Sequence, residues 1–279
     1  MTVTQPISLV NGHATDTISV ANRGMAYGDG VFETVLLSRG KTLWLTEHLQ
    51  RLELGCQRLD ISCDRPLIAA ECLQLVDQWA DSGDRGVLKI ILSRASSGRG
   101  YTPTATTSER VISVLPAPVA SRLCWDDGVA LALCQTPLAK QSLLAGLKHL
   151  NRLEQVLAAA EINRRGFVEG LMLDSSANVI EGSRSNVFIV KNQCLYTPLL
   201  SDCGVEGIMR QQIIAACDKL NIPLKISNLR IKDILNCEEI FVCNSVFGLW
   251  PATKIECIHK SVGPICRLLQ KHFESYFYA

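Results

Sequence analysis

The chain has 279 residues, long enough for one large domain or two modest ones, each with its own core. Lys plus Arg number 28 against 27 for Asp plus Glu, a balance that excludes a strong field for nucleic acid or anionic membrane and confines any anion site to a local patch. The opening MTVTQPISLVNG lacks the basic, apolar and small-residue regions of a signal peptide, and no apolar stretch reaches the ~18 residues of a membrane span, so a cytoplasmic protein is expected.

In chain order, Ile7 to Val10 followed by Asn11-Gly12 reads as a strand entering a tight turn. Val31 to Leu37 and Thr42 to Leu45 flank Ser38-Arg39-Gly40-Lys41 as a second hairpin. Thr46 can then cap a helix whose apolar face is Leu49, Leu52, Cys56 and Leu59. Arg51 stands beside that face, where its forked donors can reach a phosphate or pair with Glu47 four residues earlier. A second helix runs from Pro66 to Ala80, and Val87 to Leu92 and Val111 to Leu115 have strand length. Between those strands, SRASSGRGY (Ser93 to Tyr101) is a loop with two arginines and a tyrosine, suited to carboxylates or simply solvated. Small residues and prolines from Pro116 to Ser121 mark a linker, which divides the chain into residues 1–118 and 119–279.

Beyond the linker come a strand at Val129 to Leu133 and the stretch GLKHLNRLEQ (Gly146 to Gln155). Leu150, Leu153, Leu157 and Ala160 recur at helical steps, with Asn151 as a cap and Glu154 at capping-box spacing. Lys148 therefore falls just before the helix, in a short extended or turn segment. Either its stem lies along apolar surface with the amine in water, or it is a desolvated amine of lowered pKa, able to condense with a carbonyl. Strands follow near Leu171 to Leu173, Val179 to Gly182 and Val187 to Val190. Glu181 alternates with Val179, and it is either an inward carboxylate that needs a cation or a shared proton, or a solvated strand glutamate. GVEGIMR (Gly204 to Arg210) leads into a helix from Ile208 to Leu220, an anion-site candidate or an ordinary glycine-containing loop. Strands at Leu224 to Ile226 and Glu239 to Val242 and a helix from Pro264 to Phe273 complete the pattern. Hairpins and consecutive strands are too frequent for a regular βαβ array, so two α+β domains are expected. The twelve cysteines form no C-x-x-C and the five histidines are dispersed, so reduced core thiols such as Cys217 and Cys243 are expected, with no metal site.

Taken together and in this order, GDGVFET, SRASSGRGY, GLKHLNRLEQV and GVEGIMR resemble the fold-type IV pyridoxal-phosphate enzymes, the class that includes branched-chain and D-amino-acid aminotransferases, over nearly the whole chain. The resemblance implies an α+β protein with an N-terminal α/β sandwich-like domain and a C-terminal, barrel-like β domain with helices. It implies pyridoxal 5'-phosphate attached to Lys148, Glu181 at the pyridine nitrogen, Arg51 with Gly207 and Ile208 around the phosphate, and Asn244 and Ser245 as a further donor. Phe32, Arg99 and Tyr101 are implied on the substrate side, the last two reaching across the interface of a homodimer. Within the class the chain is similar to the lyases of the folate pathway that release p-aminobenzoate and pyruvate. That likeness implies that Lys148 removes a proton and that Thr34, alternating with Phe32 along its strand, supplies one to the departing enolpyruvate. The plain alternative for Thr34 is a β-branched strand residue. Glu33 beside it would also suit a transaminase, so an aminotransferase acting on branched-chain or D-amino acids is the second expectation, and a non-catalytic cofactor-binding protein the third.

Overall fold

The computed structural model describes residues 7–80, 85–96, 100–118 and 122–278, and the chain divides into two compact units. The first holds the described residues up to Pro118 together with Leu147–Asn151; the second holds the rest. The linker positions 119–121 lie outside the described residues.

In the first unit, β1 (Ile7–Val10), β2 (His13–Ala14), α1 (Arg23–Tyr27), β3 (Gly30–Ser38), β4 (Lys41–Thr42), α2 (Leu45–Arg58), α3 (Arg65–Ala80), β5 (Gly86–Arg94) and β6 (Ser108–Pro116) follow in order. The strands form one antiparallel sheet in the order β2-β1-β6-β5-β3-β4. Both hairpins close on two-residue loops in which each residue has positive φ, Asn11 (50°) with Gly12 (83°) and Arg39 (53°) with Gly40 (69°), the turn whose twist matches that of the strands. Leu49, Leu52 and Cys56 of α2 and Ile68, Cys72, Leu75 and Trp79 of α3 pack with Val35, Leu37, Leu88, Ile90 and Ile112 of the sheet into one core. This is the sandwich-like arrangement that the family resemblance implies. Thr46 does not cap α2. The chain turns into the helix at Trp44, whose backbone is left-handed, and the strand before it stops at Thr42.

The return of Leu147–Asn151 to this unit has a simple cause. β4 covers only the Leu37–Ser38 end of β3, which leaves the edge near Gly30 unpaired. Phe32 donates its N–H to the Lys148 carbonyl (2.9 Å), and Leu150 donates to the Gly30 carbonyl (3.0 Å). A single break after residue 118 therefore misses a second crossing of the chain. The expected capping box after Lys148 is also replaced. The Asn151 amide donates to the Gly28 carbonyl (3.1 Å), while the Glu154 carboxylate accepts the Ala139 N–H (2.8 Å).

The second unit runs through α4 (Arg122–Asp126), β7 (Val129–Leu133), α5 (Leu153–Arg164), β8 (Glu169–Leu173), β9 (Asn178–Gly182), β10 (Asn186–Lys191), β11 (Cys194–Pro198), α6 (Ile208–Lys219), β12 (Leu224–Ser227), β13 (Leu229–Arg230), α7 (Ile231–Leu235), β14 (Glu239–Asn244), β15 (Gly248–Ile255), β16 (Ile258–His259) and α8 (Pro264–Phe277). Its mixed sheet follows the order β12-β11-β10-β14-β15-β7-β8-β9-β13, with β16 beside β15. β9 and β10 are consecutive in the chain yet five places apart in this order. On a flat sheet that is ~24 Å, at ~4.8 Å per strand, whereas the Gly182-to-Asn186 connection spans at most ~15 Å. The sheet must curl, which gives the barrel-like shape. β11 and β15 have no counterpart in the sequence reading. Pro251 argues against a central strand; it stands opposite Phe241 of β14 and precedes the ladder to β7, which begins at Ala252. All twelve cysteines are free thiols, with Cys217 and Cys243 buried. Among the described residues no helix is long and apolar enough to cross a membrane, and no cluster of His, Cys, Asp or Glu could hold a metal ion.

Candidate active site

Period-two alternation gives β3 two faces of different chemistry. Phe32 and Thr34 are half-buried on the outer face, and Thr34 stands opposite Lys89 of β5. The Lys89 ammonium lies 3.9 Å from the centre of the Phe32 ring and the Lys148 ammonium 4.3 Å from it, so two amines share one aromatic ring. Burial pushes the Lys89 amine below its ordinary value, against the opposing pull of Glu33. Lys148 itself sits in the extended segment expected from its place before the helix.

The inner face carries Val31, Glu33, Val35 and Leu37. Glu33 is fully buried. Arg51 grips it with two parallel bonds, Nε to Oε1 at 2.7 Å and Nη2 to Oε2 at 2.6 Å, and His48 Nδ1 lies 2.6 Å from Oε2. Burial alone would raise the Glu33 carboxyl, but Arg51 and His48 outweigh it and hold the group at about 2. Burial pushes the His48 imidazole below its ordinary value against the opposing pull of Glu33, and among the described residues its buried Nε2 has no hydrogen-bond partner. Arg51 thus pairs with Glu33, where the sequence offered Glu47.

In the second unit the strand-like run around Glu181 is buried throughout, and Glu181 is 4 % exposed. Its Oε2 accepts the Val205 N–H at 2.8 Å, and Gln155 Nε2 lies 3.5 Å from Oε1. Val205 belongs to the loop that enters α6, so the carboxylate and the helix start are tied together. Asn186 fixes the same loop from below: its Nδ2 donates to the Val205 carbonyl (2.8 Å) and its Oδ1 accepts the Gly207 N–H (3.1 Å). A Cβ on Gly207 would come 2.0 Å from that oxygen, and Gly204 has φ +87°, so both positions require glycine. Gly207 is the N-cap of α6, and Ile208 opens its first turn. Arg210 is buried in that turn and donates to Thr197 Oγ1 (3.2 Å) and the Pro198 carbonyl (3.1 Å).

Asn244 is engaged in its own turn, accepting the Val246 and Phe247 N–H groups on Oδ1 and donating to the Arg184 carbonyl. Ser245 is half-buried beside it. Tyr101 is 85 % exposed, its ring 5.4 Å from that of Tyr27 and its carbonyl bonded to Arg23. Arg99 lies outside the described residues. Sequence reasoning missed the roles of Glu33, His48, Lys89 and Asn186. Glu33 could have been found from its alternation with Val31 and Val35, and His48 from its place three residues before Arg51.

The profile of the amino-transferase class IV family matches residues 30–255, and the chain belongs to that family. It is 33 % identical to the aminodeoxychorismate lyase of Vibrio harveyi over 94 % of this chain and 97 % of that protein. Its fold matches the crystal structure of the 4-amino-4-deoxychorismate lyase from Pseudomonas aeruginosa with a TM-score of 0.91 and 41 % identity, covering 96 % of this chain and 98 % of that one. It is also 28 % identical to a putative branched-chain-amino-acid aminotransferase of Methanocaldococcus jannaschii, over 92 % of this chain and 90 % of that protein.

Proposed function

We propose that this protein is a pyridoxal-phosphate-dependent lyase that converts 4-amino-4-deoxychorismate to p-aminobenzoate and pyruvate, a reaction of folate biosynthesis. The observation that carries the reading is the outer face of β3, where the Lys148 and Lys89 ammonium groups flank Phe32 and Thr34 stands opposite Lys89. With Lys148 as the reactive amine, Lys89 is a second cation on this face, and a substrate with two carboxylates suits it better than a simple amino acid does. The near-full-length likeness to two lyases supports the same substrate.

The residues present fit the cofactor. Lys148 offers an amine, Glu181 a buried carboxylate for a protonated ring nitrogen, and Arg51 with the start of α6 at Gly207 and Ile208 offers donors for a phosphate. Ser245 adds a hydroxyl, and Asn244 keeps its turn in place. When bound, pyridoxal phosphate supplies an electron sink conjugated to the carbon that loses its proton. Lys148 removes the proton from C4 of the substrate. The Thr34 hydroxyl delivers a proton to the methylene carbon of the departing enolpyruvate, which leaves as pyruvate while the ring becomes aromatic. Phe32 packs beside the reacting ring, and Arg99 and Tyr101 bind carboxylate from the second subunit of a homodimer.

The test is product analysis. Incubation with 4-amino-4-deoxychorismate should release p-aminobenzoate and pyruvate in equal amounts without a 2-oxo acid. Glutamate formed from 2-oxoglutarate and an amino acid at a rival rate, or no p-aminobenzoate, would move the reading to an aminotransferase.

A further inference from the structure

Only Ser183, Arg184 and Ser185 connect β9 to β10, strands that stand five places apart in the sheet order. Backbone groups in so short a turn need partners of their own. Glu169, the first residue of β8 and fully buried, supplies them. Its Oε1 accepts the Gly170 N–H (2.8 Å), the Ser183 N–H (2.9 Å) and the Ser183 hydroxyl (2.6 Å), and its Oε2 accepts the Ser185 hydroxyl (3.0 Å). Arg184 Nε lies 3.8 Å from Oε2 on a side chain that is more than half exposed, so neutral donors make the close contacts. The turn also closes on itself, with the Gly182 N–H donating to the Ser185 carbonyl (2.6 Å).

The residues on either side of this turn hold one and the same loop. Glu181 accepts the Val205 N–H, while Asn186 donates to the Val205 carbonyl and accepts the Gly207 N–H. Val205 is thus gripped at both of its peptide groups, and Gly207 is the N-cap of α6. The grip depends on the separation of Glu181 from Asn186, because a hydrogen bond weakens steeply as its geometry departs from the optimum. We propose that Glu169 is a positioning residue: it pins Ser183 and Ser185, thereby sets that separation, and so aims the start of α6 at the phosphate of the cofactor. This rests on the reading that the helix start binds that phosphate. Geometry and charge make different demands on Glu169. An amide oxygen can take the three donors that meet at Oε1, and a serine hydroxyl can turn to accept from an amide nitrogen. Glutamine should therefore serve in a positioning role and fail in a role that needs the charge.

The experiment titrates cofactor-free protein with pyridoxal 5'-phosphate and, separately, with pyridoxal, following binding by absorbance. The ratio of the two affinities reports the phosphate contacts and is insensitive to losses shared by both ligands. Glu169→Met keeps the length of the side chain and removes its acceptors, so its preference for the phosphorylated form should fall by about tenfold or more, the lower range for one hydrogen bond to a charged group. Glu169→Gln should stay within about threefold of the natural protein, less than the loss of one such bond. If Glu169→Met does not fold, the double variant Ser183→Ala/Ser185→Ala decides in its place. It leaves the carboxylate its two backbone donors, and its preference should fall by more than about threefold. A natural preference in Glu169→Met or in the serine variant, or a tenfold fall in Glu169→Gln, overturns the inference alone. A natural protein that shows no preference for the phosphorylated form overturns the cofactor reading and this inference with it.

Discussion

The two faces of β3 divide structure from chemistry in a way that the charges of the residues do not suggest. On the inner face the ionised Glu33 is compensated within the protein by Arg51 and His48. On the outer face the neutral Thr34 and Phe32 stand beside two amines. Adjacent residues thus carry opposite kinds of consequence. The inner one should govern stability, and the outer one should govern the reaction.

The largest effect expected is on the inner face. Glu33→Ala leaves the Arg51 guanidinium buried without its carboxylate, a change that costs about 3–5 kcal/mol when one partner of a buried pair is removed. Urea unfolding should record that loss, whereas Thr34→Val should stay within about 0.5 kcal/mol of the natural protein. Equal, small losses in both variants would erase the distinction between the faces.

Acid should expose the same cluster. Glu33 is held at about 2 from an ordinary 4.5. A carboxyl depressed in the folded state adds stability that is fully present above its unfolded value and disappears as pH falls through its folded one. The contribution is on the order of 3 kcal/mol, and it should fade between pH 4.5 and 2. Unfolding free energies measured across that window should fall less steeply in Glu33→Gln. Identical slopes would mean that the pair is not formed in solution.

The outer face should respond in rate. Thr34→Val keeps the shape of the side chain and removes its proton, so pyruvate release should slow by on the order of 10²-fold, the lower range for a positioned acid. Cofactor affinity should not change. A variant that releases pyruvate at the natural rate would pass the proton donation to Lys148.

The same contrast explains how much could be read from the chain. In the first unit α2 and α3 pack on one side of the sheet, which agrees with the sandwich that the family resemblance implies. In the second unit β9 is buried along its whole length and β10 up to Val190, so Glu181 stands out only as an acid in an apolar run. Lys148 was legible because it interrupts leucines just before a helix, but its return to the edge of β3 was not, since that pairing joins residues far apart in sequence. The Arg51–Glu33 pair was hidden for the same reason, as local spacing favoured Glu47. Pro251 concealed β15, and the strand tolerates it because the ladder to β7 begins one residue later, at Ala252.

The smallest of these effects concerns Lys89. It is the outer-face cation nearest to Thr34 in register, and its amine is pressed below its ordinary value by burial while its neighbour Glu33 pulls the other way. Because Arg51 already grips Glu33, the carboxylate is left with little capacity to neutralise a second cation. Lys89 should then take a carboxylate from the substrate. Lys89→Met preserves the length of the stem and its packing on Phe32 while deleting the charge. We expect kcat/KM for 4-amino-4-deoxychorismate to drop by about 1.5 to 3 kcal/mol, the range for hydrogen bonds to charged groups, with most of the change in KM. Unfolding free energy and cofactor affinity should hold. An added salt titration sharpens the point, since a charge contact on a half-buried face weakens with ionic strength and its loss should flatten that dependence in the variant. If Lys89→Met instead binds substrate normally and loses stability, the amine serves the sheet rather than the substrate, and the outer face of β3 is no more a binding surface than the inner one.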